Sequence, residues 1–175
     1  MINRLRQFYR AYTATMSGAD FEFTQAWLSE KELSVFFRMS IIDQKHCVNV
    51  ARTAEKLSIG MNIDKKLLMR AALLHDCGRK KGDLGIIGKS YAVLFDKFLG
   101  YKFFLKLNFA SRYKALHNAY RLIEVYYRHP ERSADNLRRI NCSPAIVQIV
   151  LSHHKSAATN DCQELILLRR ADALN

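Results

Sequence analysis

Residues 64–78 read DKKLLMRAALLHDCG. Leu67, Ala71 and His75 fall on one helical face, and Leu68, Ala72 and Asp76 on the adjacent one. Asp64 suits an N-cap, where its carboxylate accepts from a free amide, and Gly78 suits a stop. The spacing therefore predicts a helix from Asp64 to Asp76 that ends in a His-Asp doublet on an otherwise apolar surface. Two ionisable groups in that position are costly to bury unless they are paired or bind a metal.

The same period extends outward in both directions. His46 lies with Val50 and Leu57 on the inward stripe of a helix opened by Ser40 and Asp43, for which Gly60 is the stop. Upstream, Ser29 and Glu32 form a capping box, and Ile2, Leu5, Phe8, Tyr9 and Tyr12 make an apolar stripe ended by Ser17-Gly18. Downstream, helical patterns cover about residues 90–109 and 111–128. Pro130 and Pro144 read as first-turn prolines, the latter behind Ser143. Asp161 to Glu164 reads as the cap of a last helix through Leu165, Leu168 and Asp172. Few stretches alternate with strand period. The fold class is all-α, a single-domain bundle of eight or nine helices, with residues 1–39 as a helical extension packed on a domain spanning 40–175.

Composition agrees with a folded chain. The 175 residues are 49% hydrophobic and 25% charged, with 7 Gly and 2 Pro, which excludes disordered, collagen-like and low-complexity classes. No apolar run approaches the ~20 residues of a membrane span, and no signal peptide is visible, so the expected location is the cytoplasm. Cys47, Cys77, Cys142 and Cys162 are widely spaced and read as reduced thiols, with Cys77 as core packing. Lys and Arg outnumber Asp and Glu by 28 to 16, a formal net charge of +12 that favours anionic partners.

Histidines and carboxylates recur at interior positions of separate helices. His46, the His75-Asp76 doublet, His129 before Pro130, His153-His154 closing an apolar helix, and Asp172 are all such positions. His117 faces Tyr113 and Glu124 and stands outside this pattern. Imidazole nitrogen with carboxylate oxygen is the donor set that borderline divalent metals prefer. A carboxylate beside a histidine can bridge two ions, whose coordinated water becomes a nucleophile near neutral pH.

This order of residues resembles the HD-domain metal-dependent phosphohydrolases, whose signature is a His, a His-Asp doublet and a distant Asp on helices. The HDCG string is similar to the HDIG subgroup, and His129-Pro130 with His153-His154 resembles its binuclear branch. The resemblance spans about residues 40–175. It implies a first ion held by His46, His75, Asp76 and Asp172, and a second shared through Asp76 with His129 and His153, with His154 as a further ligand or as a hydrogen-bond donor behind the ligands. It implies one or two divalent ions per chain, among iron, manganese, zinc, magnesium and nickel. The implied reaction is hydrolysis of a small nucleotide-like phosphate ester or anhydride through a metal-bound hydroxide, with Asp76 and Arg79 in catalytic roles.

Arg79, Lys80 and Lys81 follow the doublet as candidate phosphate binders. Many HDIG members carry Lys where Arg79 stands; Arg binds phosphate but is a poor proton donor. Lys155 follows the histidine pair where the binuclear branch usually has Glu, and no GYP string occurs, which argues against cyclic-di-GMP hydrolysis. Residues 79–114 hold nine Lys or Arg against two acids, interleaved with aromatics. That segment reads as ordinary core helices with solvated lysines, as a substrate lid, or as a surface for nucleic acid or anionic membrane. A weakly catalytic metal- and nucleotide-binding regulatory module is the other alternative.

Overall fold

A capping box opens the first helix: the Ser17 hydroxyl accepts from the Asp20 N–H, and the Asp20 carboxylate accepts from the Ser17 N–H. The computed structural model describes residues 15–79 and 114–175, with side chains in the long fifth helix from Glu124 onward. Among the described residues there are seven helices and no strand. They are α1 (Gly18–Trp27), α2 (Glu30–Phe36), α3 (Ile41–Leu57), α4 (Lys65–Leu74), α5 (Lys114–Arg139), α6 (Pro144–Ser152) and α7 (Gln163–Leu174). The all-α class read from sequence holds. The apolar stripe at Ile2–Tyr12, Lys80, Lys81, the basic segment through Arg112 and the His117 side chain lie outside the described residues.

Helix α4 is the hub. It packs on α1, α2, α3, α6 and α7, and Leu68, Met69, Ala71, Ala72, Leu73 and Leu74 have no exposed surface. Each leucine so buried contributes roughly 1.5–3 kcal/mol over an exposed one. From α3 come Cys47, Val48, Val50, Ala51 and Ala54, from α5 Ala134 and Leu137, from α6 Ile146 and Val150, and from α7 Leu168 and Ala171. Every element that carries a histidine or aspartate of the sequence pattern therefore contributes to one apolar core, in which α5 packs on α6 rather than on the hub itself.

Polar contacts tie the helices together, two sets of them on the buried carboxylates of Glu32 and Asp20. The Arg70 guanidinium donates from Nε and Nη2 to Glu32, at 3.1 and 2.6 Å, which ties α2 to α4. Asp20, fully buried, takes Lys45 at 2.6 Å and Arg52 at 3.0 Å, which holds α1 on α3. The Asp64 N–H donates to Glu164 at 2.9 Å, which joins the start of α4 to α7. Asp64 also caps α4 by accepting from the Leu67 N–H.

Three local expectations are corrected. Pro130 does not begin a helix; it lies inside the 26-residue α5. Asp161 does not cap α7, whose N-cap is Cys162 without a side-chain bond. The Asp161 carboxylate instead accepts from the Ala158 N–H and from Arg169, and Arg169 in turn donates to the carbonyls of Ser152 and His153 at the end of α6. Helix α4 ends at Leu74 rather than Asp76, so the doublet occupies tight turns closed by Cys77 N–H to Leu74 and Arg79 N–H to Asp76.

Candidate metal centre

The last carbonyls of a helix have no amide of the next turn to accept from. His75 is the C-cap of α4 and donates from Nδ1–H to the Ala72 carbonyl at 2.8 Å. His153 is the C-cap of α6 and makes the same bond three residues back, to Val150 at 2.6 Å. His129 sits in mid-helix, where no such carbonyl should exist. Pro130 creates one: it has no N–H to donate to Tyr126, four residues back, and His129 Nδ1–H donates to that carbonyl at 2.6 Å. All three rings are thereby held as the Nδ1–H tautomer assigned from these bonds, with Nε2 as the lone-pair nitrogen.

These Nε2 atoms converge. His75, His129 and His153 are 1%, 0% and 4% exposed, and the His153 ring lies 5.1 Å from that of His75 and 5.3 Å from that of His129. The His46 ring is 5.4 Å from His75 on the other side, and its Nε2 lies 3.0 Å from Asp172 Oδ1. His75 Nε2 is 3.8 Å from that same oxygen and 3.8 Å from Asp76 Oδ2. Asp76 Oδ1 faces the other way, 3.2 Å from His129 Nε2. His154 is exposed at the rim, its ring 4.8 Å from His129 and 4.2 Å from His153.

Two sets of three donors, His46–His75–Asp76 and His129–His153–His154, each have ligand atoms within 4.8 Å of one another. Asp76 stands between the sets. All seven positions singled out from sequence as metal ligands thus lie around one cluster.

His75 Nε2, Asp76 Oδ1 and His153 Nε2 are buried without a hydrogen-bond partner. Such atoms in a polar cluster are costly unless something charged or polar binds them. They are the atoms a divalent cation would take, so the residues fit the metal that the sequence implies.

The charges agree. Burial alone would raise the Asp76 carboxyl, but the Arg79 guanidinium outweighs it and holds it well below the usual range. Burial likewise opposes ionisation of Asp172, and the His46 hydrogen bond lowers it again. Burial, reinforced by Arg79, pushes His129 well down; burial and His75 push His153 to about 3, and burial lowers His154. Neutral imidazoles and ionised carboxylates are the protonation states a metal requires.

Arg79 lies inside this cluster. Its Nη1 donates to Asp76 Oδ2 and its Nη2 donates to His129 Nε2 at 3.2 Å. Lys80 and Lys81 lie outside the described residues. Cys77 is 1% exposed, and burial pushes its thiol up to about 12, in keeping with core packing.

Several supporting residues were not singled out from sequence. The Gly78 N–H donates to the Ser133 hydroxyl at 2.7 Å, and Asn136 donates to the Cys77 carbonyl at 3.0 Å. A Cβ on Gly78 would stand 2.4 Å from the His129 carbonyl oxygen and 2.5 Å from the Ser133 nitrogen. Gly78 therefore does more than end a helix: it lets the turn carrying Asp76 and Arg79 lie directly on α5 beside His129. The sequence signal is faint, because nothing local to Gly78 marks Ser133, 55 positions on, as its neighbour. Asp43, read as a cap residue, also sends Oδ1 to within 3.8 Å of Arg79 Nη1.

Neither a curated protein nor a solved structure gives a significant match to the chain. The family model described as HD domain matches residues 44–175, which takes in every donor of both sets. Three-quarters of the sequence falls within that match, and its helices bring the His, the His-Asp doublet and the distant Asp to one place. The chain belongs to the HD-domain family.

Proposed function

We propose that the chain is a binuclear metal-dependent phosphohydrolase acting on a small, nucleotide-like phosphate ester or anhydride. The family is typically one of metal-dependent phosphohydrolases, which sets the class. One observation carries the two-ion reading: the two carboxylate oxygens of Asp76 face different donor sets, Oδ2 toward His75 and Oδ1 toward His129. His46, His75, Asp76 and Asp172 would hold one ion, and Asp76, His129, His153 and His154 the other. Divalent ions there supply Lewis acidity toward phosphoryl oxygens and acidify a water nucleophile.

The remaining work falls to the chain itself. The Ala72, Tyr126 and Val150 carbonyls keep the three inner imidazoles in one tautomer, so the donor set needs little reordering. Arg79 places a permanent cation beside Asp76, suited to a phosphoryl oxygen but not to protonating a leaving group. His154, exposed at the rim, marks the side from which a substrate enters. The division into an extension through residue 39 and a domain from residue 40 belongs to this proposal, supported by the Asp20 ion pairs that fasten α1 to α3.

Elemental analysis of the purified protein beside Asp76→Ala tests the reading. Close to two transition-metal ions per chain, lost on substitution, followed by turnover on a panel of phosphomonoesters, phosphodiesters and nucleotides, is the expected result. Metal without turnover on any substrate favours a regulatory binding module. Absence of metal from the wild-type protein after reconstitution would end the hydrolase reading.

A further inference from the structure

We propose that Arg79 is a tethered cation that, anchored on Asp76, competes with the second ion for His129, so that the two metal positions load unequally. The inference rests on the two-ion reading above and concerns which residue controls it. The Arg79 fork spans Asp76 Oδ2 and His129 Nε2. In the two-ion reading Asp76 serves both ions, through Oδ2 on the His75 side and Oδ1 on the His129 side, whereas His129 belongs to the second alone. An imidazole nitrogen that accepts from a guanidinium has its lone pair engaged and cannot also bind a metal. Two like charges at such separations also repel strongly where solvent is scarce.

The placement of Arg79 is built in. Its side chain is 11% exposed, and its N–H bonds back to the Asp76 carbonyl at 2.9 Å, next to the Gly78 contact with α5. The guanidinium is set for its two Nη contacts although Nε is left buried with no partner. Asp43 Oδ1, 3.8 Å from Nη1, offers a second carboxylate. A small swing toward it frees Asp76 and His129 without leaving the guanidinium buried away from any anion. The Asp76 oxygen that Arg79 touches, Oδ2, faces the first set but keeps a further lone pair for an ion, whereas the single lone pair of His129 Nε2 is engaged outright, so competition falls mainly on the second ion.

Calorimetric titration of chelator-stripped protein with manganese chloride decides the matter, using wild type, Arg79→Gln and Arg79→Lys. The wild type should show one tight event and one weak event. Arg79→Gln should tighten the weak event by about tenfold or more while moving the tight one far less, on the scale by which neighbours of metal ligands alter affinity. Arg79→Lys, a point charge that cannot span both atoms, should fall between them, and it decides the matter if Arg79→Gln fails to fold by circular dichroism. A second event in folded Arg79→Gln or Arg79→Lys that equals or is weaker than wild type overturns the competition and leaves the two-ion reading standing. A single event in all three proteins, or none, overturns both.

Discussion

Gly78→Ala tests whether the doublet is held against α5 as tightly as the geometry says. Gly78 is not at positive φ, so alanine meets no backbone penalty there; the obstacle is space. The added methyl would lie 2.4 and 2.5 Å from backbone atoms of His129 and Ser133 and 2.8 Å from the Ser133 hydroxyl. Backbone cannot turn aside, so the two segments must separate, at about 1–3 kcal/mol for overpacking. Separation also stretches the Gly78 N–H to Ser133 bond, worth about 0.5–1.5 kcal/mol. Against this, Gly→Ala restricts the unfolded chain and contributes about 0.4–1 kcal/mol of stability.

The net is a loss of about 2–3 kcal/mol, which for a chain of this size lowers Tm by roughly 5–10 °C. Urea unfolding of chelated protein reads it, with Gly18→Ala and Gly60→Ala alongside. Gly18 has no atom within 4 Å of an added Cβ and should gain a few tenths of a kcal/mol. Gly60, at φ +77 in open space, should lose about 1 kcal/mol from backbone strain alone. A Gly78→Ala midpoint no lower than that of Gly60→Ala would refute the close contact, and with it the account of how Asp76 reaches His129.

Pro130→Ala restores an N–H able to donate to Tyr126, which competes with His129 Nδ1. Helix α5 should be no less stable, yet manganese affinity should fall by about tenfold, with the His129 tautomer shift visible in nitrogen NMR. Saturating manganese at about 100 times its Kd should add about 2.7 kcal/mol to wild-type stability in a melting assay, and nothing to Asp76→Ala. Acid should destabilise the chelated protein in two stages. His153, about 3 when folded against an ordinary 6.5, takes up its proton more readily unfolded, so its contribution to stability falls as pH drops below 6.5, by at most about 1.4 kcal/mol per pH unit. Glu32, lowered in the fold by Arg70 and Ser29 despite opposing burial, contributes stability above its ordinary 4.5 that is lost as pH falls through the lower folded value. His129 and His154, also lowered in the fold, add to the first stage, so His153→Gln should make it shallower without abolishing it and leave the second, as read by urea midpoints between pH 7 and 3.

Much of this could be read from the chain because its signals are local. Ser29 with Glu32, Ser40, Asp64 and Ser143 before Pro144 all stand at helix starts in the structure, since a cap needs only residues within one turn. The facing of His46, His75 and Asp172 followed from helical period combined with apolar neighbours. The Ser17–Asp20 box was the local signal passed over, read as the end of one helix when it begins another.

What could not be read depends on atoms far apart in sequence or on exceptions to local rules. Gly78 has the same letter whether it ends a helix or admits a neighbouring one; only the approach of Ser133, 55 positions away, distinguishes them. Pro130 is harder still. Proline inside a helix normally costs about 3 kcal/mol, so the rule assigns it to a first turn. Here part of that cost is offset by the residue before it, because the amide that proline lacks is replaced at the Tyr126 carbonyl by His129 Nδ1–H. The same replacement occurs without proline at His75 and His153, where helices simply end. A histidine that donates three residues back is thus the common element, and proline is the means of providing it in mid-helix. Read this way, His-Pro in this chain is a single device: the proline exposes a carbonyl, and the carbonyl aims the ring at Asp76.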